Sequence, residues 1–497
     1  MIDEFLPNHL PALQVVLALV AAPICLVLRR RGTAWMIATM VTWTSLAIAL
    51  ALLDRVLETG TISYSLGGWP PPWGIEYRID LANAFVLVIV TLIGSVVMPY
   101  ARASIPAEIE EPRIYLFYCM YLLNLAGLLG IAITGDVFNL FVFLEISSLS
   151  SYVMISLSRD RRALVAAYRY LIMGTIGATF YIIGVGMMYQ VTGTLNMVDL
   201  ATLIPNLTDN RTVMVALAFL CVGLSLKLAL FPLHLWLPNA YAYAPSAVSA
   251  FLASTGTKVA VYALARILFT VFGGSVLIDD FGLQELLVVL AVAAMIGGSA
   301  VAIYQSNVKR LLAYSSIAQI GYMILGLSMA SVIGMTAGLV HLFNHALMKG
   351  GLFMVMGCVF FRLSSVQVED MEGLAKRMPL TMAAFVAGGF GLIGMPLTAG
   401  FISKWHLIQA ALEKGWWGAV AVILVSSLLA VIYIWRVVEA AYFKPPPKGA
   451  AEISEAPLSM LVPMWVMIGM SYYFGIDATL TLDITTGAAE TLLGGIQ

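Results

Sequence analysis

Apolar positions along the chain gather into long runs, and polar or Gly/Pro-rich punctuation divides them into fourteen stretches. They run approximately over Pro11–Leu28, Thr33–Leu53, Ile79–Tyr100, Ile114–Ile133, Val137–Leu157, Val165–Val191, Thr212–Leu237, Pro245–Phe272, Leu283–Tyr304, Leu311–Met329, Ile333–Phe361, Pro379–Ala410, Trp416–Phe443 and Pro457–Phe474. A helix crossing a bilayer needs about 20 mostly apolar residues, so each stretch predicts one crossing, numbered here as spans 1 to 14. The longest loop, between spans 2 and 3, differs. Thr61–Leu66 and Ile75–Ile79 have period-two character around a Gly/Trp/Pro turn, which predicts a small extracytoplasmic hairpin within residues 54–78. Trp69 and Trp73 in that turn suit the membrane interface. Pro445-Pro446-Pro447 reads as a short stiff spacer.

Composition fits a lipid solvent. Of 497 residues, 61% are hydrophobic and 11% charged, with mean hydropathy +0.94, against about 25% charged in a soluble globular protein. With 26 Lys+Arg, 27 Asp+Glu and net charge −1, the chain has no basic face for phosphates, so nucleic-acid binding is excluded. Cys25, Cys119, Cys221 and Cys358 each lie in an apolar run without metal or CxxC spacing, and read as small core residues. The start, Met1-Ile2-Asp3-Glu4, is acidic where a signal peptide is basic, so span 1 is expected to be retained.

Orientation follows from basic residues. One set of loops carries Arg29, Arg30, Arg31, Arg102, Arg113, Arg159, Arg161, Arg162, Arg169, Lys309, Arg310, Arg362, Lys376, Arg377, Arg436, Lys444 and Lys448. The other carries only Arg55, Arg78, Arg211, Arg266 and Lys414. This bias places both termini outside the cytoplasm of a bacterial inner membrane.

Four basic residues then remain inside apolar spans: Lys227, Lys258, Lys349 and Lys404. Glu145 is similarly placed in span 5, and His234, His341, His345 and His406 add titratable groups at membrane depth. A charge near a helix centre costs about 2.5–3.5 kcal/mol on insertion scales, so five facing lipid would cost roughly 12–18 kcal/mol. These groups are therefore expected to face an interior or water. Snorkelling to the headgroups is a stronger alternative for Lys349 and Lys404 than for the mid-span Lys227 and Lys258. Glu145 could also be a buried acid without a transport role. His341, His345 and Lys349, spaced i, i+4, i+8, share one helical stripe; His234 and His406 read equally as relay groups or hydrogen-bonded core residues. In such a setting burial disfavours the ammonium form and a nearby carboxylate favours it, so moving the carboxylate or its proton switches a lysine between holding and releasing a proton.

Spans 7 and 12 are expected to be broken. Span 7 contains Leu226-Lys-Leu-Ala-Leu-Phe-Pro-Leu-His-Leu-Trp-Leu-Pro238, with Pro232 inside it, and span 12 contains Gly391-Leu-Ile-Gly-Met-Pro-Leu-Thr-Ala-Gly400, with Gly394 and Pro396. Proline frees a backbone carbonyl, tolerable in a bilayer where it is buried in protein or lines a wet cavity. Two broken helices five apart run in opposite directions and suggest two inverted five-helix repeats, helices 4–8 and 9–13; isolated proline kinks are the alternative. The expected organisation is 1–112 (spans 1–3 and the hairpin), 113–273 and 274–443 (the two repeats), and 444–497 (a cytoplasmic linker, span 14 and an outer tail).

Three segments carry a resemblance: Gly135-Asp-Val-Phe-Asn-Leu-Phe-Val-Phe-Leu-Glu145; Lys227 to Tyr241 with Ala244-Pro-Ser-Ala-Val-Ser249; and His341-Leu-Phe-Asn-His-Ala-Leu-Met-Lys-Gly350. Over nearly the whole chain they resemble the antiporter-like membrane subunits of Mrp-type cation/proton antiporters, respiratory complex I and membrane-bound hydrogenases. The resemblance implies a fourteen-helix fold with the inverted repeat. It implies a proton path in which Glu145 pairs with Lys227, Lys258 relays centrally beside His341, His345 and Lys349, and Lys404 exchanges with the outer half-channel. Gly67-Gly-Trp-Pro-Pro-Pro-Trp-Gly-Ile75 resembles the D-type Mrp subunit and its hydrogenase counterparts. Lysine rather than glutamate at 404 argues against the M-type complex I subunit. An end at 497 is expected to leave no room for the lateral helix of L-type subunits or the C-terminal extension of the A-type Mrp protein, while the N-type stays open.

The first expectation is thus a proton-translocating, non-enzymatic subunit of an Mrp-type Na⁺/H⁺ antiporter (K⁺ or Li⁺ as other cations), with partner subunits of the Mrp A, B, C, E, F and G types. The alternative is the same axis driven by redox energy in a complex I or hydrogenase assembly. No nucleotide, flavin or metal motif appears, so no cofactor is expected. His341 and His345 point the same way from one helix and do not grip a haem from both faces. A pure assembly scaffold would tolerate loss of the lysines.

Overall fold

The computed structural model describes residues 2–274, 282–447 and 453–494. Met1 of the acidic start and Lys448 of the basic loop set lie outside them. In chain order the helices are α1 (Ile2–Leu28), α2 (Arg31–Thr59), α3 (Leu81–Glu108), α4 (Ile114–Ile133), α5 (Val137–Ser156), α6 (Arg162–Thr192), α7 (Met197–Leu203), α8 (Arg211–Leu228), α9 (Leu237–Tyr243), α10 (Ser246–Ser254), α11 (Gly256–Ala265), α12 (Leu283–Ile303), α13 (Val308–Ser328), α14 (Val332–Leu363), α15 (Pro379–Ile393), α16 (Ala399–Glu413), α17 (Trp417–Val438), α18 (Leu458–Ile476) and α19 (Thr479–Leu493). Strands β1 (Ile62–Ser65) and β2 (Glu76–Ile79) pair antiparallel, Ile62 opposite Ile79 and Ser65 opposite Glu76. The expected hairpin is present, though α2 continues through Thr59 and shortens it.

Among the described residues thirteen helices are long and apolar enough to cross a membrane, not fourteen. The difference is span 12. Gly394, left-handed at φ 86°, ends α15, and the chain restarts as α16 only at Ala399, so two 15-residue helices replace one crossing helix. Span 7 is likewise broken between α8 and α9, with Pro232 in the gap. Span 8 is broken too, which its sequence did not announce. Thr255 (φ −121°, ψ −56°) separates α10 from α11, and Arg266–Val271 then continues α11 as a π-helical turn. The expected outer tail is a helix, α19, which packs its Thr481/Thr485/Ala488/Leu492 face against α3 and α14.

The 32-residue α14 runs through the middle of the bundle, buried from Gly334 to Val359 and packed on α10, α13, α16, α18 and α19. Apolar side chains of α1, α2, α5, α6, α12 and α17 face outward, as lipid solvation requires. Cys25, Cys119 and Cys358 are buried and Cys221 half-buried, all unpaired.

Two charges assigned to loops by their position at span ends are in fact buried. Lys309 lies 3.7 Å from Glu108, whose carboxylate also accepts from the Ser246 backbone N–H (2.9 Å) and hydroxyl (3.0 Å), capping α10. On the hairpin face Arg266 pairs with Asp80 at 2.8 Å. The half-buried Asp160 shows the surface counterpart: hydrogen bonds from the Arg162 guanidinium hold its carboxyl below the usual range.

Removing one member of a buried ion pair leaves the other uncompensated, at about 3–5 kcal/mol. Glu108→Gln should therefore lower the thermal unfolding temperature of the detergent-purified protein markedly, and Glu108→Gln with Lys309→Met should restore most of the loss. Equal unfolding temperatures for wild type and Glu108→Gln would contradict the pairing.

Candidate functional site

The break after α8 positions Lys227. Ala229 takes a left-handed conformation at the helix end (φ 60°), and the Trp236 indole N–H donates to the freed Leu226 carbonyl at 2.9 Å. Lys227, in the last turn, donates to Ser147 Oγ (3.3 Å) and Ser148 Oγ on α5. Asn124 on α4 holds that serine face in place, donating to Ser147 O, Ser150 Oγ (3.1 Å) and Ser151 Oγ (2.7 Å). Glu145, half-buried on α5, forms no ion pair with Lys227, although the two charges lie within Coulombic reach. The expected pair is thus a longer-range one.

A cavity of about 10 Å³ is lined by Asn124, Ser147, Ser151, Lys227, Gly256 and Thr257, about the room one water requires. It joins the Lys227 site to the break in span 8. Just beyond that break Lys258, 1% exposed, donates to the Ala253 carbonyl and lies 3.5 Å from Thr257 Oγ1. The break supplies this acceptor, because Ala253 lies in the last turn of α10 and lacks a continuous helix after it.

On α14 His341, His345 and Lys349 are all 0% exposed. The imidazole planes of His341 and His345 are parallel within 3°, with centroids 6.1 Å apart, as the i, i+4 spacing predicts. His341 Nδ1 meets Ser403 Oγ at 2.8 Å, while His341 Nε2 and both nitrogens of His345 have no protein partner. Lys349 donates to the Leu312 carbonyl (2.7 Å) and to Ser315 Oγ on α13. Lys258, His345, Lys349, His341 and Lys404 act on one another electrostatically.

Lys404 closes the series. Its ammonium donates to the Leu392 and Ile393 carbonyls (both 2.9 Å) and to Ser427 Oγ (3.0 Å), and sits 4.9 Å from the Tyr322 ring centroid. The carbonyls are the unpaired end of α15, where the helix dipole favours a cation. Gly394 is needed there: a Cβ on it would lie 2.8 Å from Lys404 Cδ. Pro396 occupies the same gap.

The remaining sequence candidates sit apart. His234, in the α8/α9 gap, stacks on Phe231 (5.1 Å) with its edge toward Tyr314, and Nδ1 has no partner. His406 bonds the Ile402 carbonyl of its own helix at 2.8 Å. Neither hydrogen-bonds to a lysine of the series. Sequence reasoning missed the hydroxyl partners Ser147, Ser148, Ser315, Ser403 and Ser427 and the Tyr322 ring. The doubled Ser147-Ser148 and Ser150-Ser151 within an apolar helix were the available signal.

A multi-pass helical bundle with broken helices around a buried line of amines and imidazoles is an antiporter-like, proton- or cation-translocating membrane subunit. Residues 134–430 match the family described as NADH:quinone oxidoreductase/Mrp antiporter, TM, and the chain belongs to that family. It is 44% identical over 480 residues to the NADH-quinone oxidoreductase subunit N of Desulforudis audaxviator (strain MP104C), covering 92% of this chain and 94% of that one. Among solved structures it resembles a chain of the Mrp complex from Dietzia sp. DQ12-45-1b (27% identity, TM-score 0.91). It also resembles a chain of the membrane-bound sulfane sulfur reductase, an archaeal respiratory membrane complex (32% identity, TM-score 0.90). Each match covers 98% of both chains. The family resemblance read from the motifs is borne out.

Gly394→Ala should push Lys404 off its carbonyls, whereas Gly415→Ala, also at positive φ (70°) but in open space, adds only local strain. In vesicles bearing the assembled complex, proton transport should fall about tenfold in the first, equivalent to about 1.4 kcal/mol, and little in the second. Equal effects would remove Gly394 from the site.

Proposed function

We propose that this chain is a proton-translocating subunit of a redox-driven membrane complex of the NADH:quinone oxidoreductase or membrane-bound respiratory type. The observation that carries the reading is the buried series Lys227, Lys258, His345/Lys349, His341 and Lys404, each lysine held by neutral acceptors. The 44% identity to an N-type subunit and the 32% identity to a respiratory complex chain support redox drive over the Mrp-type assignment. The Mrp-type Na⁺/H⁺ exchanger is the second reading, favoured by the Gly67–Ile75 hairpin motif and the 0.91 TM-score.

In this reading Lys227, with Glu145 in its field, takes up a proton, Lys258 passes it through the bundle centre, and His345, His341 and Lys349 relay it to Lys404, which releases it on the hairpin side. His234 and His406 stand as secondary relay candidates. Spans 4–8 and 9–13 act as inverted repeats, within residues 113–273 and 274–443, the first contributing the broken spans 7 and 8 and the second the broken span 12. The basic-residue bias supports extracytoplasmic termini. Partner membrane subunits are supported by α5, whose exposed face of Phe138, Val142, Leu149 and Val153 includes the half-buried Glu145. A carboxylate facing bare lipid is costly, and a neighbouring subunit would cover it.

In everted vesicles containing the whole complex, Lys227→Ala and Lys258→Ala should reduce electron-donor-driven acidification by about tenfold or more while the subunit still inserts. Full acidification in both variants overturns the reading. A Na⁺ gradient applied without an electron donor should produce no pH change; a Na⁺-driven change that persists when electron transfer is blocked decides for the exchanger.

A further inference from the structure

The hairpin face bears a cavity of about 440 Å³ lined by Thr61, Arg78, Asp80, Arg266, Thr270 and Glu490, among others. A smaller cavity of about 20 Å³ shares Arg78, Asp80, Arg266 and Thr270 and reaches down to Tyr262. Lys258, Tyr262 and Arg266 are spaced i, i+4, i+8 on α11 and its π-helical continuation. The central lysine therefore lies two helical turns, roughly 12 Å of rise, from Arg266 and one turn, roughly 6 Å, from Tyr262, where the smaller cavity ends. On position alone this is a shorter way to the hairpin face than the one through α14 and Lys404.

The hydrogen bonds say otherwise. Arg266 donates from Nη2 to Asp80 Oδ1 (2.8 Å), from Nη1 to Thr270 Oγ1 (3.2 Å) and from Nε to the Tyr262 hydroxyl (3.1 Å), with Nη1 also 2.8 Å from Asp80 Oδ2. Tyr262 in turn donates its one hydroxyl proton to the Ala132 carbonyl at 3.0 Å. A proton relay needs members that accept a proton on one side and release one on the other. The guanidinium does not deprotonate in proteins, and the tyrosine proton is committed to a backbone carbonyl, not to Lys258. Asp80 balances the charge of Arg266, so the obstruction rests on the direction of the hydrogen bonds and the filled space more than on repulsion. Asp80 is also fixed from behind, accepting from the Asn83 backbone N–H (3.1 Å) as the N-cap of α3.

We propose that Asp80, Arg266 and Tyr262 form a proton-insulating plug that closes the space between the hairpin-face cavity and Lys258, forcing protons to leave by the lateral route. The plug rests on the relay reading of Lys258 given above. Arg266→Gln opens it and leaves in the cavity a carboxylate able to carry a proton.

The test uses the complete complex in proteoliposomes, following both donor-driven acidification and the passive decay of an imposed pH gradient. Arg266→Gln should speed the passive decay several-fold, and adding Lys258→Ala should return it to the wild-type rate. An assembled Arg266→Gln complex as tight as wild type, or a leak that persists in the double variant, overturns the plug. Tyr262→Phe keeps the ion pair and the ring and tests the same idea should Arg266→Gln fail to assemble. Donor-driven acidification should match wild type; a several-fold loss would mean that protons pass through the Tyr262 hydroxyl, which also overturns the plug. Lys258→Ala alone separates the two claims: normal pumping refutes the relay, whereas lost pumping with a tight Arg266→Gln complex refutes only the plug.

Discussion

An ammonium group can stay inside a membrane protein only if its protons are hydrogen-bonded, and the identity of the acceptors decides whether the proton can leave. Lys227, Lys258, Lys349 and Lys404 rest on hydroxyls and backbone carbonyls. Such neutral partners tolerate both the charged and the uncharged amine, since neither state leaves a bare ion behind. Arg266 hydrogen-bonds to the Asp80 carboxylate, and Lys309, which donates to Ser246 Oγ (2.8 Å) and the Ala244 carbonyl (3.3 Å), has the Glu108 carboxylate at 3.7 Å; losing a proton at either would strand a buried anion at a cost of several kcal/mol. The same chain thus holds two sets of buried cations, one able to change charge and one locked.

Helix breaks supply carbonyl acceptors to two of the first set, Lys258 and Lys404. A continuous helix uses its carbonyls internally, so a buried lysine beside it finds few acceptors. The end of α15 releases the Leu392 and Ile393 carbonyls to Lys404, and the discontinuity at Thr255 releases that of Ala253 to Lys258. Lys227 meets serines instead because its own break turns the freed Leu226 carbonyl toward Trp236. At Lys258 and Lys404 the backbone irregularity and the buried amine are therefore one structural feature, whereas Lys349 uses the Leu312 carbonyl and Ser315 of the continuous α13.

This explains which parts of the molecule were legible in the sequence. Lysine within an apolar run is anomalous in lipid, so Lys227, Lys258, Lys349 and Lys404 stood out, and the His341/His345/Lys349 stripe followed from helical spacing alone. Pro232, Gly394 and Pro396 marked two breaks because they change backbone chemistry locally. Thr255-Gly256 carries no comparably strong mark, so the break in span 8 went unseen. Lys309 and Arg266 lie at span ends, where loop charges and buried charges look alike until the distant Glu108 and Asp80 are brought beside them. The α19 helix was hidden for a simpler reason: its buried face is built largely from Thr and Ala, which gives a weak amphipathic pattern.

The two sets of cations also occupy different places. The locked pairs sit toward the two membrane faces, Lys309 with Glu108 at one and Arg266 with Asp80 at the other, while the chargeable amines lie between them along the bundle. A proton entering such an interior meets groups able to exchange it mainly in the plane of the membrane, from the α5/α8 side through α11 and α14 toward α16. Both ends of that line are within reach of neighbours in an assembly: Glu145 approaches the exposed side of α5, and Lys404 sits on α16 beside the lipid-facing α17. Locked charges at the faces and neutral-bonded amines between them are the arrangement that the proposed lateral path requires, in a protein whose relatives assemble with other membrane subunits.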